Sequence, residues 1–265
     1  MQGLKLMRKT IAAICFVALF SQQVMAQSET GDGEWNHSRA VYLWGASIGG
    51  TTAAGTGVDV DFKDIVDNLE FGAMASYQSR KGKWSILTDV IYLDVAADKQ
   101  LDLLPPIDGD IIDVTTTASL DLTSWVIHLA GGYNLYNDKE GTTTDFVFGA
   151  RYLDLKTDLG LNFNITPPDL DYTLPPLTAS DDFWDAIIGF RGNISLGDRW
   201  FMPWGANIGA GDSDLTWQAM AGVAFKASSW ADIALTYRYL KWEFDDAIVD
   251  DLSLSGPLLG VVFRF

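Results

Sequence analysis

The chain ends on the stretch Leu259-Gly260-Val261-Val262-Phe263-Arg264-Phe265, in which every second residue from Leu259 to Phe265 is apolar. A two-residue period places these apolar side chains on one face of a strand and Arg264 on the other. One face of such a strand can meet lipid while the other lines the interior of a closed sheet. The last strand therefore predicts a membrane β-barrel.

The amino terminus has the order of a secretory signal peptide. Cationic residues precede the apolar run 11–20, and Val24-Met25-Ala26 supplies a cleavage site ahead of Gln27. We expect residues 1–26 to be removed, residues 27–36 to form a flexible periplasmic lead-in, and residues 37–265 to form one barrel domain. The single cysteine, Cys15, lies in the signal, so the mature chain has no thiol for a disulfide, a metal or catalysis.

Composition separates a barrel from a helical membrane protein. Mean hydropathy is only +0.09, although 12% of the residues are aromatic. After residue 20 no apolar run reaches the about 20 residues that a transmembrane helix needs. Amphipathic strands explain both observations.

Alternation recurs along the chain and predicts about ten antiparallel strands in an all-β, up-and-down transmembrane barrel. About eight or about twelve strands remain open alternatives, since the connection 211–214 is short where a long loop is expected. On the first strand we assign Tyr42, Trp44, Ala46 and Ile48 to the lipid face. The sheet has to close, because hydrocarbon offers no hydrogen-bond partner to an open edge.

Short and long connections alternate, and this pattern predicts the orientation. The short ones are Lys81-Gly82-Lys83, residues 137–141, Gly197-Asp198 and Ser228-Ser229, and long ones cover residues 50–68, 97–117 and 157–181. Short turns of bacterial outer-membrane barrels face the periplasm, so an even number of strands places both termini there. The predicted location is the outer membrane of a Gram-negative bacterium.

A tyrosine recurs near the outer end of three strands, in Tyr92-Leu93-Asp94, Tyr152-Leu153-Asp154 and Tyr239-Leu240-Lys241. Amphipathic rings prefer the membrane interface. These tyrosines are predicted to share one interfacial belt.

The first long loop contains a helical pattern. Phe62, Ile65, Val66 and Leu69 follow the spacing i, i+3, i+4, i+7 after a possible cap at Asp61, which predicts a short amphipathic helix with these four residues as its apolar face. The helix is either a lid over the lumen or a loop helix packed on its neighbours.

Three stretches carry a family resemblance: Asp64-Ile65-Val66-Asp67-Asn68-Leu69-Glu70-Phe71-Gly72, Arg80-Lys81-Gly82-Lys83-Trp84 and Asp89-Val90-Ile91-Tyr92-Leu93. They resemble a group of uncharacterised bacterial outer-membrane β-barrel proteins, over residues 40–95. The rest resembles, by pattern, the broad class of small OmpA-like and OmpW-like barrels. The resemblance implies a β-barrel fold and a location in the outer membrane, and it transfers no catalytic or binding residues.

The aromatic end of the chain resembles the sorting signature of outer-membrane proteins. For Phe263 and Phe265 this implies a role as a C-terminal assembly signal. The partner would be the barrel-insertion machinery.

The inward phase of the strands carries charges of both signs. We expect a polar network in the lumen formed by Asp89, His128, Arg151, Asp185, Arg191 and Arg238. Side chains just fill an eight-strand barrel, whereas barrels of about sixteen strands hold wide channels, so about ten strands predict a mostly occluded lumen. A structural salt-bridge core is the preferred interpretation, and a selective pore is the alternative.

Charge is distributed unevenly. The formal net charge is −17 at pH 7, with acid concentrated in the long connections and base near the short turns. An acidic rim repels nucleic acid and attracts cations. Expected partners are outer-membrane lipid and lipopolysaccharide. The loop carboxylates could bind Ca²⁺ or Mg²⁺, although a solvated surface is the plainer interpretation and EF-hand spacing is absent from the sequence.

Catalysis finds little support in the sequence. The chain has two histidines, of which His37 precedes the first strand and His128 lies in mid-barrel. Neither is placed for acid–base chemistry at the outer rim, so we expect no enzyme and no cofactor. Two functions remain: an interaction barrel that presents acidic loops, and a narrow channel for small cationic or apolar solutes.

Overall fold

A computed structural model describes residues 34–52, 57–60, 63, 69–101, 113–166, 170–173, 177–245 and 249–265. The predicted signal peptide and most of the lead-in lie outside these residues. The described part is a single antiparallel sheet of 13 strands. Its strands are β1 (Asn36–Trp44), β2 (Ser47–Thr52), β3 (Gly57–Val60), β4 (Leu69–Lys81), β5 (Trp84–Leu101), β6 (Asp113–Asn137), β7 (Thr143–Thr166), β8 (Leu170–Thr173), β9 (Leu177–Ser195), β10 (Trp200–Gly211), β11 (Leu215–Lys226), β12 (Ala231–Glu243) and β13 (Val249–Arg264).

Ten of these strands close a barrel in the order β1-β4-β5-β6-β7-β9-β10-β11-β12-β13. The ring closes because β13 pairs with β1 from Ser38↔Arg264 to Trp44↔Leu258. β2 continues along β13 beyond β1, β3 pairs with β2, and β8 pairs with β7. The all-β, ten-strand, up-and-down prediction is confirmed.

One end of the barrel, here called the short-turn rim, carries the four connections β4–β5, β6–β7, β9–β10 and β11–β12. Gly82 and Gly141 lie in two of these turns with φ angles of 56° and 95°, which favour glycine. His37 and Phe265 meet at the same rim through two backbone hydrogen bonds of 3.0 Å. The opposite end, here called the long-loop rim, carries the other connections.

The connection 211–214 is a tight turn at the long-loop rim. Gly211 donates to the carbonyl of Ser213 (3.0 Å), and Asp212 donates to that of Trp184 (3.0 Å). The connection that left the strand number open is thus a true turn between β10 and β11.

Aromatic pairs mark two levels on the outer surface of the barrel. Toward the short-turn rim the ring pairs are Trp84–Tyr133, Trp200–Phe225 and Trp230–Phe263. Toward the long-loop rim they are Tyr92–Trp125, Tyr152–Trp184 and Trp217–Tyr239, with centroids 4.5–4.8 Å apart. Each of the three tyrosine rings contacts a tryptophan of the neighbouring strand, and their shared interfacial belt stays a prediction.

The assigned face of the first strand is wrong. Leu43 and Val41 are exposed on the outside, at 76% and 53%, whereas Tyr42 and Trp44 are buried inside the barrel with Ala46. Leu43 lies opposite Leu259 and Trp44 opposite Leu258, so the lipid face of β13 sets the face of β1. Both phases of this strand are apolar, and alternation alone therefore does not choose between them.

Close approach to β13 holds the indole of Trp44 inside. Its Nε1 donates to the carbonyl of Gly256 at 3.2 Å. A Cβ on Gly256 would lie 1.9 Å from the carbonyl oxygen of Gly45. Position 256 of β13, which faces the break between β1 and β2, therefore requires glycine.

Most of the predicted loop helix lies outside the described residues. Phe62, Ile65 and Val66 fall there, and Leu69 is the first residue of β4. The structure therefore does not show the helix. Within the described residues, no helix is long and apolar enough to cross a membrane.

Nitroxide labels test the register of β1. We expect a label at Leu43→Cys to collide with lipid-dissolved oxygen, as a label at Leu259→Cys on the facing strand should, and a label at Tyr42→Cys to be shielded. Electron paramagnetic resonance in liposomes measures these collision rates. Greater oxygen access at position 42 than at 43 would contradict the register.

Asp138, in the β6–β7 turn, tests the short-turn rim. Its Oδ1 accepts the backbone N–H of Thr142 (2.8 Å) and of Glu140 (3.0 Å). The Thr142 bond is the largest influence holding the pKa of Asp138 below its ordinary value of 3.8. Because the folded-state pKa is the lower one, the carboxylate stabilises the fold fully above the unfolded pKa, and this contribution is lost as pH falls through the folded pKa.

We therefore expect Asp138→Ala to lower the free energy of unfolding at pH 7 and the deficit to shrink below pH of about 4. Urea unfolding in lipid vesicles measures both. Lys139→Ala, in the same turn, is the matched control and should show no such narrowing. A deficit for Asp138→Ala that is independent of pH would refute the assignment.

Candidate functional site: the barrel interior

The strands bring inward side chains together at three levels of the lumen. The middle level, here called the central network, contains Tyr42, Asp89, His128, Arg151 and Arg238, with polar partners on β10 and β11. Arg151 is fully buried, and Arg238 and His128 are 3% and 8% exposed. Buried charges need close partners, so the hydrogen bonds of this level decide its role.

Arg238 joins one wall of the barrel to another. Its Nη1 donates to Asp89 Oδ2 at 2.8 Å, while Nε and Nη2 donate to Gln218 Oε1 at 2.9 and 2.6 Å. The second carboxylate oxygen, Asp89 Oδ1, accepts the hydroxyl of Tyr42 at 2.5 Å. Both carboxylate oxygens of Asp89 thus accept a hydrogen bond, and the guanidinium of Arg238 is held through all three of its nitrogens.

Arg151 occupies the other half of the level. Its Nε donates to His128 Nε2 at 2.7 Å, and its two terminal nitrogens donate to Thr216 Oγ1 and Asn207 Oδ1. A guanidinium only donates, so Nε2 of His128 accepts and the ring proton lies on Nδ1. That Nδ1 lies 3.4 Å from Arg238 Nη2 and 3.9 Å from Asp89 Oδ2.

The central network spans the lumen. β6, which carries His128, and β12, which carries Arg238, are five places apart in the ring of ten and therefore stand opposite each other. Their side chains are in contact at 3.4 Å. Side chains from opposite walls of the barrel therefore meet at this height.

A second layer, here called the apolar cap, lies two residues further toward the long-loop rim. It is a cluster of buried side chains that includes Trp44, Ile91, Val126, Leu153, Leu240, Trp242, Phe244, Leu254 and Leu258. Leu240 and Trp242 have no exposed surface. The guanidinium carbon of Arg238 lies 4.9 Å from the ring centre of Trp44, and that of Arg151 lies 5.7 Å from Trp242. Cation–π contacts of this kind join the two layers.

A third level, here called the vestibule, opens at the short-turn rim. It is a cavity of about 180 Å³ lined by Gln78, Arg80, Gly82, Asn134, Asn137, Thr143, Asp145, Arg191, Gly192 and Asn193. Arg80 holds Asp145 through both terminal nitrogens, and Asn134 Nδ2 donates to Asp145 Oδ1 at 2.8 Å. Arg191 Nη2 donates to Gln78 Oε1 at 2.7 Å.

The six predicted lumen residues fall in three places. Asp89, His128, Arg151 and Arg238 meet in the central network, while Arg191 lies in the vestibule. Asp185 lies opposite Arg151 in the ladder, but its Oδ1 accepts Ser213 N (3.0 Å) and Oγ (2.7 Å). It anchors the β10–β11 turn instead of joining the network.

Sequence reasoning missed Tyr42 and the apolar cap. Tyr42 was assigned to lipid through the error in the phase of β1. A signal for the cap was present at the end of β12, where Leu240 and Trp242, followed by Phe244 just after the strand, occupy the phase opposite to the exposed Tyr237. Large apolar residues on both phases at one end of a strand indicate a filled interior at that height.

The proposed assembly residues close the barrel wall. The ring of Phe265 lies 5.8 Å from that of His37 and 4.7 Å from the guanidinium of Arg39, while Phe263 stacks on Trp230. His37 Nδ1 and Tyr77 Oη are 2.8 Å apart. The role of Phe263 and Phe265 in assembly stays a prediction.

Metal binding at the acidic loops stays an expectation. Most of these aspartates lie outside the side chains that the structure describes. Within the described residues, no three His, Cys, Asp or Glu side chains are grouped in a way that could hold a metal ion.

A closed antiparallel sheet with an apolar outer face, two aromatic levels and a charged interior is a transmembrane β-barrel of the outer-membrane class. Solved structures similar to this chain include the outer membrane protease OmpT from Escherichia coli, with 8% identity, a TM-score of 0.47, and coverage of 90% of this chain and 99% of that one. Another is the translocator domain of the autotransporter NalP from Neisseria meningitidis, with 17% identity, a TM-score of 0.39, and coverage of 90% of both chains.

A third is Ail, the attachment invasion locus protein of Yersinia pestis, with 10% identity, a TM-score of 0.35, and coverage of 88% of this chain and 99% of that one. With TM-scores below 0.5, these likenesses do not bear on what the protein does. No protein-family model and no curated protein matches the chain.

A double-mutant cycle tests whether the central network acts as one unit. We expect Asp89→Asn and Arg238→Gln to be coupled by about 1–3 kcal/mol in the free energy of unfolding, because either change leaves a buried partner unpaired. Urea unfolding in lipid vesicles gives the four energies of the cycle.

The matched control is the pair Asp232 and Arg264, which lie 2.6 Å apart with Arg264 40% exposed. Asp232→Asn and Arg264→Gln should be coupled by less than about 1 kcal/mol, since solvent screens the pair. Equal coupling in both cycles would contradict a cross-lumen unit.

Proposed function

We propose that the chain is an integral outer-membrane barrel that does not conduct and that acts through its long-loop rim. The observation that supports the proposal is that the side chains of the central network and of the apolar cap are buried inside the barrel at two successive levels. Arg151 and Trp242, one in each layer, have no exposed surface. A solute crossing the barrel would have to displace charged partners and then an apolar core.

The proposed orientation places the short-turn rim in the periplasm and the long-loop rim outside. The charges of the described side chains support it. Near the short turns the basic groups Arg80, Lys81, Lys83, Lys139, Arg199 and Lys226 outnumber the acidic groups Asp138, Glu140 and Asp198. On the long-loop side Lys156 and Lys241 are outnumbered by Asp94, Asp121, Asp154, Asp158, Asp181, Asp182, Asp212, Asp214, Glu243, Asp245, Asp250 and Asp251. The outer rim would thus be strongly acidic.

The uneven height of the wall supports an interaction surface. β6 and β7 have 25 and 24 residues, whereas β10 and β11 have 12 each. At about 3.3 Å per residue and a tilt near 40°, the extra residues raise one side of the barrel by about 30 Å. Such a raised acidic wall suits contact with lipopolysaccharide or with an external partner, and it needs no catalytic group.

Single-channel recording tests the proposal. Refolded mature protein, verified by its heat-dependent gel shift, should give no conductance steps in a planar bilayer. Removing both layers with Arg151→Ala, Arg238→Ala and Trp242→Ala together should give discrete steps. Tyr237→Ala, on the outer face of the same strand as Arg238, is the matched control and should stay silent.

The alternative function is a narrow channel for small cationic or apolar solutes. Discrete, cation-selective steps from the unmodified protein would establish it and refute the closed barrel. Silence of the unmodified protein, in bilayers where the triple variant conducts, would support the proposal.

A further inference from the structure

We propose that the vestibule is a binding site for a small oxyanion, a carboxylate or a phosphate, that enters from the short-turn rim. This inference goes beyond the proposed non-conducting barrel, because it assigns a ligand-binding role to the cavity at the short-turn rim. It rests on the placement of Arg191, on the partners of Asp145 and on the cavity between them.

The vestibule is separate from the central network. On β7, Asp145 lies six residues before Arg151, and on β6, Asn134 lies six residues after His128, so both lie nearer the short turns. The side chains of the central network meet across the lumen above the vestibule. A ligand held here therefore does not have to cross the barrel.

The vestibule has an unbalanced positive charge. Its charged lining residues are Arg80, Arg191 and Asp145. Asp145 is already occupied, because Arg80 contacts both of its oxygens and Asn134 donates to Oδ1. One carboxylate between two guanidiniums leaves a net charge of about +1 in a partly enclosed cavity.

Arg191 supplies donors for an anion. Among the described residues its guanidinium makes one hydrogen bond, from Nη2 to Gln78 Oε1 at 2.7 Å. β4, which carries Gln78, lies four places around the ring from β9, so Arg191 reaches across the cavity. Its remaining N–H groups form a planar fork that fits two oxygens of a carboxylate or phosphate.

Neutral donors complete the site. The side-chain amides of Asn137 and Asn193 line the cavity and make no hydrogen bond to any residue that the structure describes. Each can donate to a second face of a bound anion. The cavity volume of about 180 Å³ is sufficient for one small anionic group with some water.

The surroundings favour anion entry only weakly. The turns of this rim carry Lys81, Lys83, Lys139 and Arg199 together with Asp138, Glu140 and Asp198. The small excess of positive charge raises the local concentration of anions only slightly, so the charge of the vestibule itself has to attract the ligand. The acidic long-loop rim has the opposite effect at the other end.

Titration of the refolded mature protein in neutral detergent micelles tests the proposal, because both mouths are then accessible. Calorimetry with sodium phosphate and separately with sodium acetate identifies the source of the oxyanion, and sodium chloride at equal ionic strength corrects for screening. We expect binding of at least one of them with a Kd of about 1 mM, and a shift of the Arg191 Nε–H resonance.

Arg191→Gln should weaken binding by about tenfold or more, because the charged fork is lost while an amide remains near Gln78. The matched control Arg199→Gln removes the same charge outside the cavity and should change the Kd by less than about twofold. Asn193→Phe keeps both arginines and fills the cavity, so it should also abolish binding and serves if Arg191→Gln fails to fold. The heat-dependent gel shift checks the fold of each variant.

Three outcomes would overturn the site: no binding beyond that of chloride, equal weakening by Arg191→Gln and Arg199→Gln, or full binding by folded Asn193→Phe. None of them depends on conductance. If the titrations show no binding, the proposal of a non-conducting barrel is unaffected. If the unmodified protein conducts, the titrations still decide whether the vestibule binds an oxyanion.

Discussion

Pairing of backbone N–H and C=O groups is the constraint on which the rest of the structure depends. Hydrocarbon offers these groups no partner, so a sheet that spans it has to close on itself. The ladder between β1 and β13 performs the closure, and it continues to the last residue of the chain, where His37 and Phe265 exchange two backbone hydrogen bonds. Every strand then has an inner and an outer face, which meet different surroundings.

The outer face is uniform and the inner face is layered. Outside, apolar side chains lie between two aromatic levels, as lipid with two interfaces requires. Inside, a polar vestibule, the central network and the apolar cap follow one another along the barrel axis. The two arginines of the central network connect it to the apolar cap. Each donates hydrogen bonds within the network and also faces a tryptophan of the cap. The interior therefore resembles a small folded core placed inside a cylinder.

Sequence reasoning predicted the strand number and the short turns, because a period of two is a strong signal where one phase of a strand is polar. It failed on β1, where Val41 and Leu43 on one phase and Tyr42 and Trp44 on the other are all apolar. That one-residue error moved Tyr42 away from Asp89, its partner in the structure. The grouping of Asp89, His128, Arg151 and Arg238 was foreseeable from phase and height, whereas Asp185 was not separable from them, since its partner Ser213 comes from a turn.

The sequence by itself determined that the chain is an amphipathic all-β protein that forms a barrel, because local alternation, turn residues and composition are properties of short segments. The tertiary structure alone decided which face of β1 is inside, that Arg238 and His128 meet from opposite walls, and that Leu240 and Trp242 of β12 join one buried cluster inside the barrel. The physical reason is the closure of the ring. Residues far apart in sequence meet across the barrel only after strand order, register and tilt are set together, and no local pattern encodes that combination.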